Sequence, residues 1–311
     1  MIIALASIAL VLLAAPVLTV RVGRRVHPAD WTRWSFGSLV AGAVAAEAAL
    51  VLFALPTVLR ALGAHALVAA CARMTGSLMP GGPVVGWSIA ATSVLVPVGF
   101  GLGMAAVRRT NRSVAACVAG VVPIRIGGHD VVLVSLDDVV ALTVGGDRRV
   151  IVVSDGMCRA LTTEGLEAVV RHEASHVTHS HDRYLAVLAG LDRAFVLLAF
   201  VRRSTSVVRC GVERWADEDA AASHPGGRRI VRDALVSAVF AAAPCGVAAF
   251  GAVATIAERA AALQAPMQIS TARRRTLMVG MSVLMLMAAG TAAAGGTQLW
   301  RVLIMPPFCT H

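Results

Sequence analysis

Leu161-Thr-Thr-Glu-Gly-Leu-Glu-Ala-Val-Val-Arg-His-Glu-Ala-Ser-His-Val177 decides how this chain is read. Thr162 or Thr163 can cap a helix N-terminus, and Glu164 in the first turn suits the helix dipole. Leu166, Val169, Val170, Ala174 and Val177 recur at helical spacing, so the stretch predicts an amphipathic helix. On that helix His172 and His176 are one turn apart and share a face. Two imidazoles so placed can hold one tetrahedral Zn2+. Glu173, beside the first of them, is positioned to take a proton from an attacking water. A His-Glu-x-x-His string also arises by chance on surface helices; the cap and the apolar face strengthen this one.

A catalytic zinc needs a third protein ligand and an open position. Asp182 has a spacing known from one zinc-peptidase pattern, but that pattern requires glycine at position 179, where His179 stands. His179 and His181 are expected to support the ligands, to serve structure or to sit solvated. Glu213 is the best third ligand. It opens Glu213-Arg-Trp-Ala-Asp217 on a second predicted helix, where Glu213 and Asp217 share a face. Asp217 can then accept a hydrogen bond from the outer nitrogen of a ligand histidine, which fixes its tautomer. The alternative is a solvated acidic face continuing into Glu218 and Asp219. Stabilising the oxyanion calls for a further donor. Tyr184 lies too far along the chain, and His224, Arg228 and Arg229 are the candidates for that role or for substrate contact. The competing expectation is a basic, solvated turn at Pro225-Gly226-Gly227.

Outward from this region the chain is that of a membrane protein. Of its 311 residues 57% are hydrophobic and only 15% charged, and the mean hydropathy is +0.75. Soluble domains carry about a quarter charged residues. All 28 basic side chains are arginine, and the net charge is +10. No nucleic-acid motif accompanies them, so direct nucleic-acid binding is not expected; the lipid bilayer is the expected partner of this charge. The six cysteines show no metal-site spacing and read as buried thiols.

Four apolar segments are long enough to cross a bilayer: Ile2–Val20, Phe36–Leu59, Val84–Val107 and Leu277–Trp300. The first lacks the positive flank that precedes a signal peptide's apolar core, so it is expected to be retained. Arg21, Arg24 and Arg25 follow span one, Arg108, Arg109 and Arg112 follow span three, and Arg273, Arg274 and Arg275 precede span four. Alternating crossings put all three clusters on one side, the cytoplasm, with both termini outside. Cys71 and Cys309 would then share the outer side, which permits a disulfide between them. Glu47 lies mid-span, where an ionisable group is a functional candidate; a protonated carboxyl bonded to a neighbouring helix is the plainer account. Tyr184–Val201 is interrupted by Asp192-Arg193 and is expected to lie on the membrane or against the other spans.

The expected organisation is therefore a membrane region over residues 1–112, a cytoplasmic domain over 113–272, and a last span with a short outer tail over 273–311. The domain opens with strand-like runs at Val131–Ser135, Ala141–Val144 and Arg149–Val153, the last two joined as a hairpin through Gly145-Gly146-Asp147. Helices follow, including an Ala-rich stretch at Ala248–Ala262.

The run Ala141…Arg149-Val-Ile-Val-Val-Ser154…Leu161-Thr-Thr-Glu…His172-Glu-x-x-His176…Glu213-x-x-Ala-Asp217 resembles the gluzincin membrane peptidases, most closely the BlaR/MecR-type antirepressor peptidases and more distantly the HtpX/Ste24 group. The resemblance covers roughly Ala141 to Gln264 together with three spans before and one after. It implies a mainly α membrane protein with an inserted α+β zinc-peptidase domain facing the cytoplasm. It implies Zn2+ on His172, His176 and Glu213, Glu173 as base, and Asp217 behind the ligands. The strand at Arg149–Val153, or its hairpin partner, resembles the edge that pairs with an extended substrate. The expected substrate is a peptide or cytoplasmic protein, with a transcriptional repressor as a candidate. Unlike BlaR/MecR sensors, the sequence shows no penicillin-binding domain after the last span, so β-lactam sensing by that route is not expected. The rival expectations are membrane-protein quality control and a zinc-binding signalling scaffold without turnover. Glu173 argues against the scaffold, since a structural zinc needs no base.

Overall fold

The computed structural model describes residues 2–65, 82–145, 149–242 and 250–264, with isolated positions beyond. The expected fourth span lies outside these residues apart from such positions, as do Cys71 and Cys309. Cys117, Cys158 and Cys210 are free thiols, but not the buried ones expected: Cys117 is exposed and the other two are half-buried.

Helix α1 (Ile2–Leu18) is followed by the short α2 (Val20–Gly23). Helix α3 runs over Pro28–Ala61, beyond both ends of the expected span. His27 caps it, accepting from Ala29 N–H at 3.3 Å, with proline at the first helical position where no N–H is needed. Helix α4 (Gly82–Cys117) also overruns its expected end and crosses the 112/113 boundary without a break. Helices α3 and α4, with 34 and 36 residues, are long and apolar enough to cross a membrane. At 1.5 Å per residue α4 is about 54 Å long, against a hydrocarbon core of about 30 Å. Its last turns beyond Arg108 therefore serve as a post for the sheet.

That sheet has the order β1-β2-β4-β3, from β1 (Ile124–Ile126), β2 (His129–Val134), β3 (Ala141–Val144) and β4 (Val150–Ser154). β3 and β4 form the expected antiparallel hairpin, while β2 and β4 pair in parallel. Strand β1 was not expected; at three residues it carries no readable alternation. Both sheet faces are covered. Val131, Ile151 and Val153 meet Val170 and Ala174, and Val132, Val144 and Val152 meet Val114 of α4 and Val118 just after it. Strand β4 is therefore internal, and of the two hairpin strands only β3 is an edge.

After α5 (Asp155–Ala160) come α6 (Thr163–Thr178), α7 (His181–Ala194), α8 (Ala199–Ser223), α9 (Gly227–Ala242) and α10 (Phe250–Gln264). Thr162 caps α6, its hydroxyl accepting from Gly165 N–H at 3.1 Å. The Tyr184–Val201 segment is two helices, broken at Phe195–Leu198, where the turn lets α8 reverse towards α6. Helix α7 packs along α4, and a single apolar cluster of Leu13, Leu39, Leu188, Leu191, Val201 and Val208 joins α1, α3, α7 and α8. Helices α7 and α8 are thus built directly onto the apolar ones.

The α4–α7 contact depends on glycine. A Cβ on Gly103 would lie 2.4 Å from the Ala189 carbonyl oxygen, whereas one on Gly101 would meet nothing within 4 Å. Gly103→Val should destabilise the protein by about 1–3 kcal/mol through overpacking. Gly101→Val should leave it near wild type. Thermal unfolding of the two variants in detergent checks this, and equal melting temperatures would contradict the packing described.

Candidate metal centre

Helix α6 presents His172 and His176, and α8 crosses it so that Glu213 faces both. The Nε2 atoms of the two histidines are 3.2 Å apart. Glu213 Oε2 lies 3.5 Å from His172 Nε2, and Oε1 lies 3.7 Å from His176 Nε2. One ligand atom from each of the three residues fits within a 4.8 Å span. Two imidazoles and a carboxylate converging with their basic atoms inward match the N/O donor set that Zn2+ takes.

The outer nitrogens are held differently. His172 Nδ1 lies 3.0 Å from Asp217 Oδ1. Asp217 in turn receives two hydrogen bonds from the Arg259 guanidinium, at 2.7 and 2.8 Å. Arg259, on α10, also reaches Glu213 Oε2 at 3.1 Å. His176 Nδ1 faces His181 Nδ1 at 3.0 Å.

Burial disfavours charge throughout this cluster, yet the ion pairs prevail. Burial opposes an imidazolium at His172, but Asp217 and Glu213 raise it to about 10. Burial opposes the Glu213 carboxylate, but His172 and Arg259 hold it at about 2. Asp217 sits well below the usual carboxylate range, since Arg259 and His172 overcome its burial. At His176 burial, followed by the charge on His172, outweighs the nearby Glu213 and Glu173 carboxylates and lowers it. Glu213 and Asp217 therefore face the two histidines as carboxylates.

Glu173 is buried at the side of this trio. Thr143 Oγ1, from β3, lies 2.8 Å from its Oε2 and 2.9 Å from its backbone oxygen, so one hydroxyl proton bridges both. The contact ties the candidate base to the edge strand.

The remaining sequence candidates go elsewhere. His179 Nε2 contacts Asp219 Oδ2 at 2.8 Å and its ring stacks on Trp215, so it braces α6 against α8. Asp182 pairs with Arg149 at 3.3 Å. Tyr184 packs on Phe36 of α3. Arg228 donates to Glu218 Oε2 at 2.5 Å rather than projecting into solvent. His224 is buried at the end of α8, its Nδ1 accepting from Gly226 N–H at 2.9 Å. The turn at Pro225-Gly226-Gly227 is thus less solvated than its composition suggests, and these hydrogen bonds tie His224 to that turn and Arg228 to α8. Arg229 pairs weakly with Asp233 on the exposed face of α9.

Two contributors escaped the sequence. Thr143 carries no local signal. Arg259 does: Glu258 and Arg259 are the only charged residues between Asp233 and Arg273, and a lone charged pair in so apolar a stretch calls for partners.

Arg259 and Asp217 are both largely buried. Removing one partner of a buried pair leaves an uncompensated charge, at a cost of about 3–5 kcal/mol. Arg259→Met should therefore lower the unfolding temperature markedly, and Arg259→Lys should restore it only in part because one ammonium cannot make the bidentate contact. A methionine variant that melts with the wild type would contradict the placement of Arg259.

No curated protein and no solved structure matches the chain. Peptidase family M48 matches residues 108–300, from the end of α4 through the last apolar segment. The match does not extend to the BlaR/MecR type in particular. Covering well over half of the sequence, it shows that the chain belongs to peptidase family M48, a metallopeptidase family.

Proposed function

We propose that this chain is a membrane-anchored zinc endopeptidase that hydrolyses an extended segment of a protein on the arginine-rich, cytoplasmic face of the bilayer. The observation that carries this is the convergence of His172, His176 and Glu213 next to a buried, oriented Glu173. When bound, zinc would supply Lewis-acid polarisation of the substrate carbonyl and of the attacking water. His172, His176 and Glu213 would hold it. Glu173 takes the proton from that water and passes it to the leaving nitrogen, with Thr143 keeping its carboxylate aimed. Asp217, locked by Arg259, accepts from His172 Nδ1 and fixes that ring. The outer edge of β3 has no strand beside it among the described residues. It is the place where an extended substrate adds main-chain hydrogen bonds, beside Thr143 and therefore beside the base.

Membrane anchoring is supported by α3 and α4, and the cytoplasmic assignment by the arginines that follow α1 and those near the C-terminal end of α4. Regulated cleavage of a repressor is the narrower substrate reading, carried by the sequence resemblance alone. A closed, purely structural zinc site is disfavoured by the two histidines that might have completed it. His179 turns to Asp219, and His181 meets the outer nitrogen of His176.

Glu173→Gln should keep zinc at wild-type stoichiometry and lose about 100- to 10,000-fold in cleavage of an unfolded casein-type substrate. Glu213→Ala should lose the metal. Cleavage by Glu173→Gln at the wild-type rate would refute the base assignment. A pH effect follows from His172. Below about 10 its ring is protonated in the metal-free protein, so loading zinc must expel that proton. Apparent zinc affinity should therefore rise about tenfold per pH unit from pH 6 to 8, read by chelator competition. An affinity flat across that range would contradict the electrostatics of the site.

A further inference from the structure

His176 offers the trio its Nε2, and a neutral imidazole that does so carries its hydrogen on Nδ1. That hydrogen points at His181 Nδ1, 3.0 Å away. The direction of this bond is then forced. His181 must present a lone pair at Nδ1 and carry its own hydrogen at Nε2. With the opposite direction, His176 would be protonated at Nε2 and could not bind metal there.

The local structure is built to bring the two rings together. Ser180, between α6 and α7, has φ 56°, the one non-glycine residue in the left-handed region among those described. Such a conformation costs about 1–3 kcal/mol and persists where the surroundings require it. Here it reverses the chain so that His181, the first residue of α7, folds back under His176. His181 is fully buried. Trp215 stands 4.7 Å from its ring and Tyr184 stands perpendicular at 6.0 Å. Its Nε2 has no hydrogen-bond partner among the described residues. Burying a donor without an acceptor is costly, and an apolar ring would fill the space without that cost. The walls are keyed to the membrane helices: Tyr184 packs on Phe36, and the Arg33 guanidinium lies 4.4 Å over the Trp215 ring.

We infer that His181 is a positioning residue whose Nδ1 accepts the Nδ1–H of His176, fixing that ring's tautomer and holding its Nε2 towards Glu213 and His172. The inference rests on the metal-binding role proposed for the trio. The two ligand histidines are then backed asymmetrically. His172 leans on a carboxylate locked by arginine, whereas His176 leans on a neutral imidazole caged by aromatics that the first turns of α3 hold in place.

The test uses the full chain in detergent. In the zinc-loaded wild type, long-range 1H–15N imidazole spectra should show His181 as the Nε2–H tautomer; an Nδ1–H tautomer or an imidazolium would overturn the inference without any mutation. His181→Phe should weaken zinc binding about 10- to 100-fold and alter the visible spectrum of the Co2+-substituted protein. His181→Asn, whose side-chain oxygen can still accept from His176, should recover most of the affinity and the wild-type spectrum. A phenylalanine variant that binds zinc as tightly as wild type would overturn the role of His181 while leaving the trio intact. Absence of zinc from the wild type, with no difference on Glu213→Ala, would instead remove the metal site itself. Should the phenylalanine variant fail to fold, the wild-type tautomer decides.

Discussion

Asp217 sits between His172 Nδ1 and the Arg259 guanidinium, and three helices meet at that carboxylate. Helix α6 brings the histidine, α8 the aspartate and Glu213, and α10 the arginine. Without Arg259, the buried Asp217 and half-buried Glu213 carboxylates would crowd a pair of imidazoles. With it, Glu213 and Asp217 stay ionised, His172 is oriented, and the three inward-facing atoms converge. The geometry of the centre is thus set by an electrostatic balance outside it. The crossing of α6 and α8 is further braced by Asp219, which receives Ser175 and contacts His179.

The second dependence is on the apolar helices. Helix α4 continues past its membrane-length portion to carry one face of the sheet, while α6 covers the other. The edge strand β3 is therefore fixed relative to both the bilayer-length helices and the candidate base. Helix α7 closes against α4 through Gly103 and Gly190, and its first residue lies under His176. The apolar helices thus set the position of a candidate metal ligand, in a chain that belongs to a metallopeptidase family. The outer strand β3 and the candidate base Glu173 share one contact, Thr143.

Much of the centre was legible because its parts are local. His172, Glu173 and His176 lie within one helical turn and a residue, and Glu213 and Asp217 are one turn apart; helical periodicity alone puts each set on one face. The β3–β4 hairpin was legible for the same reason, from alternation and a glycine turn. What escaped is nonlocal. Arg259 meets Asp217 across 42 residues and Thr143 meets Glu173 across 30, and no periodicity reports such pairs. For His181 the sequence left support of the ligands, a structural role and solvation open together. Its contact with His176 depends on the left-handed Ser180, which reverses the chain after α6 and which no helical periodicity reports. Helix lengths were underestimated at α3 and α4 because hydropathy marks where apolar residues stop, whereas the backbone continues as long as it can pair its hydrogen bonds.

The central claim is a three-ligand, open zinc centre on His172, His176 and Glu213. X-ray absorption at the zinc edge of the loaded protein tests it most directly. The account predicts about two imidazole nitrogens near 2.0–2.1 Å with the remaining shell from oxygen, one of them exchangeable. A sulfur contribution, or a third and fourth imidazole closing the shell, would contradict it.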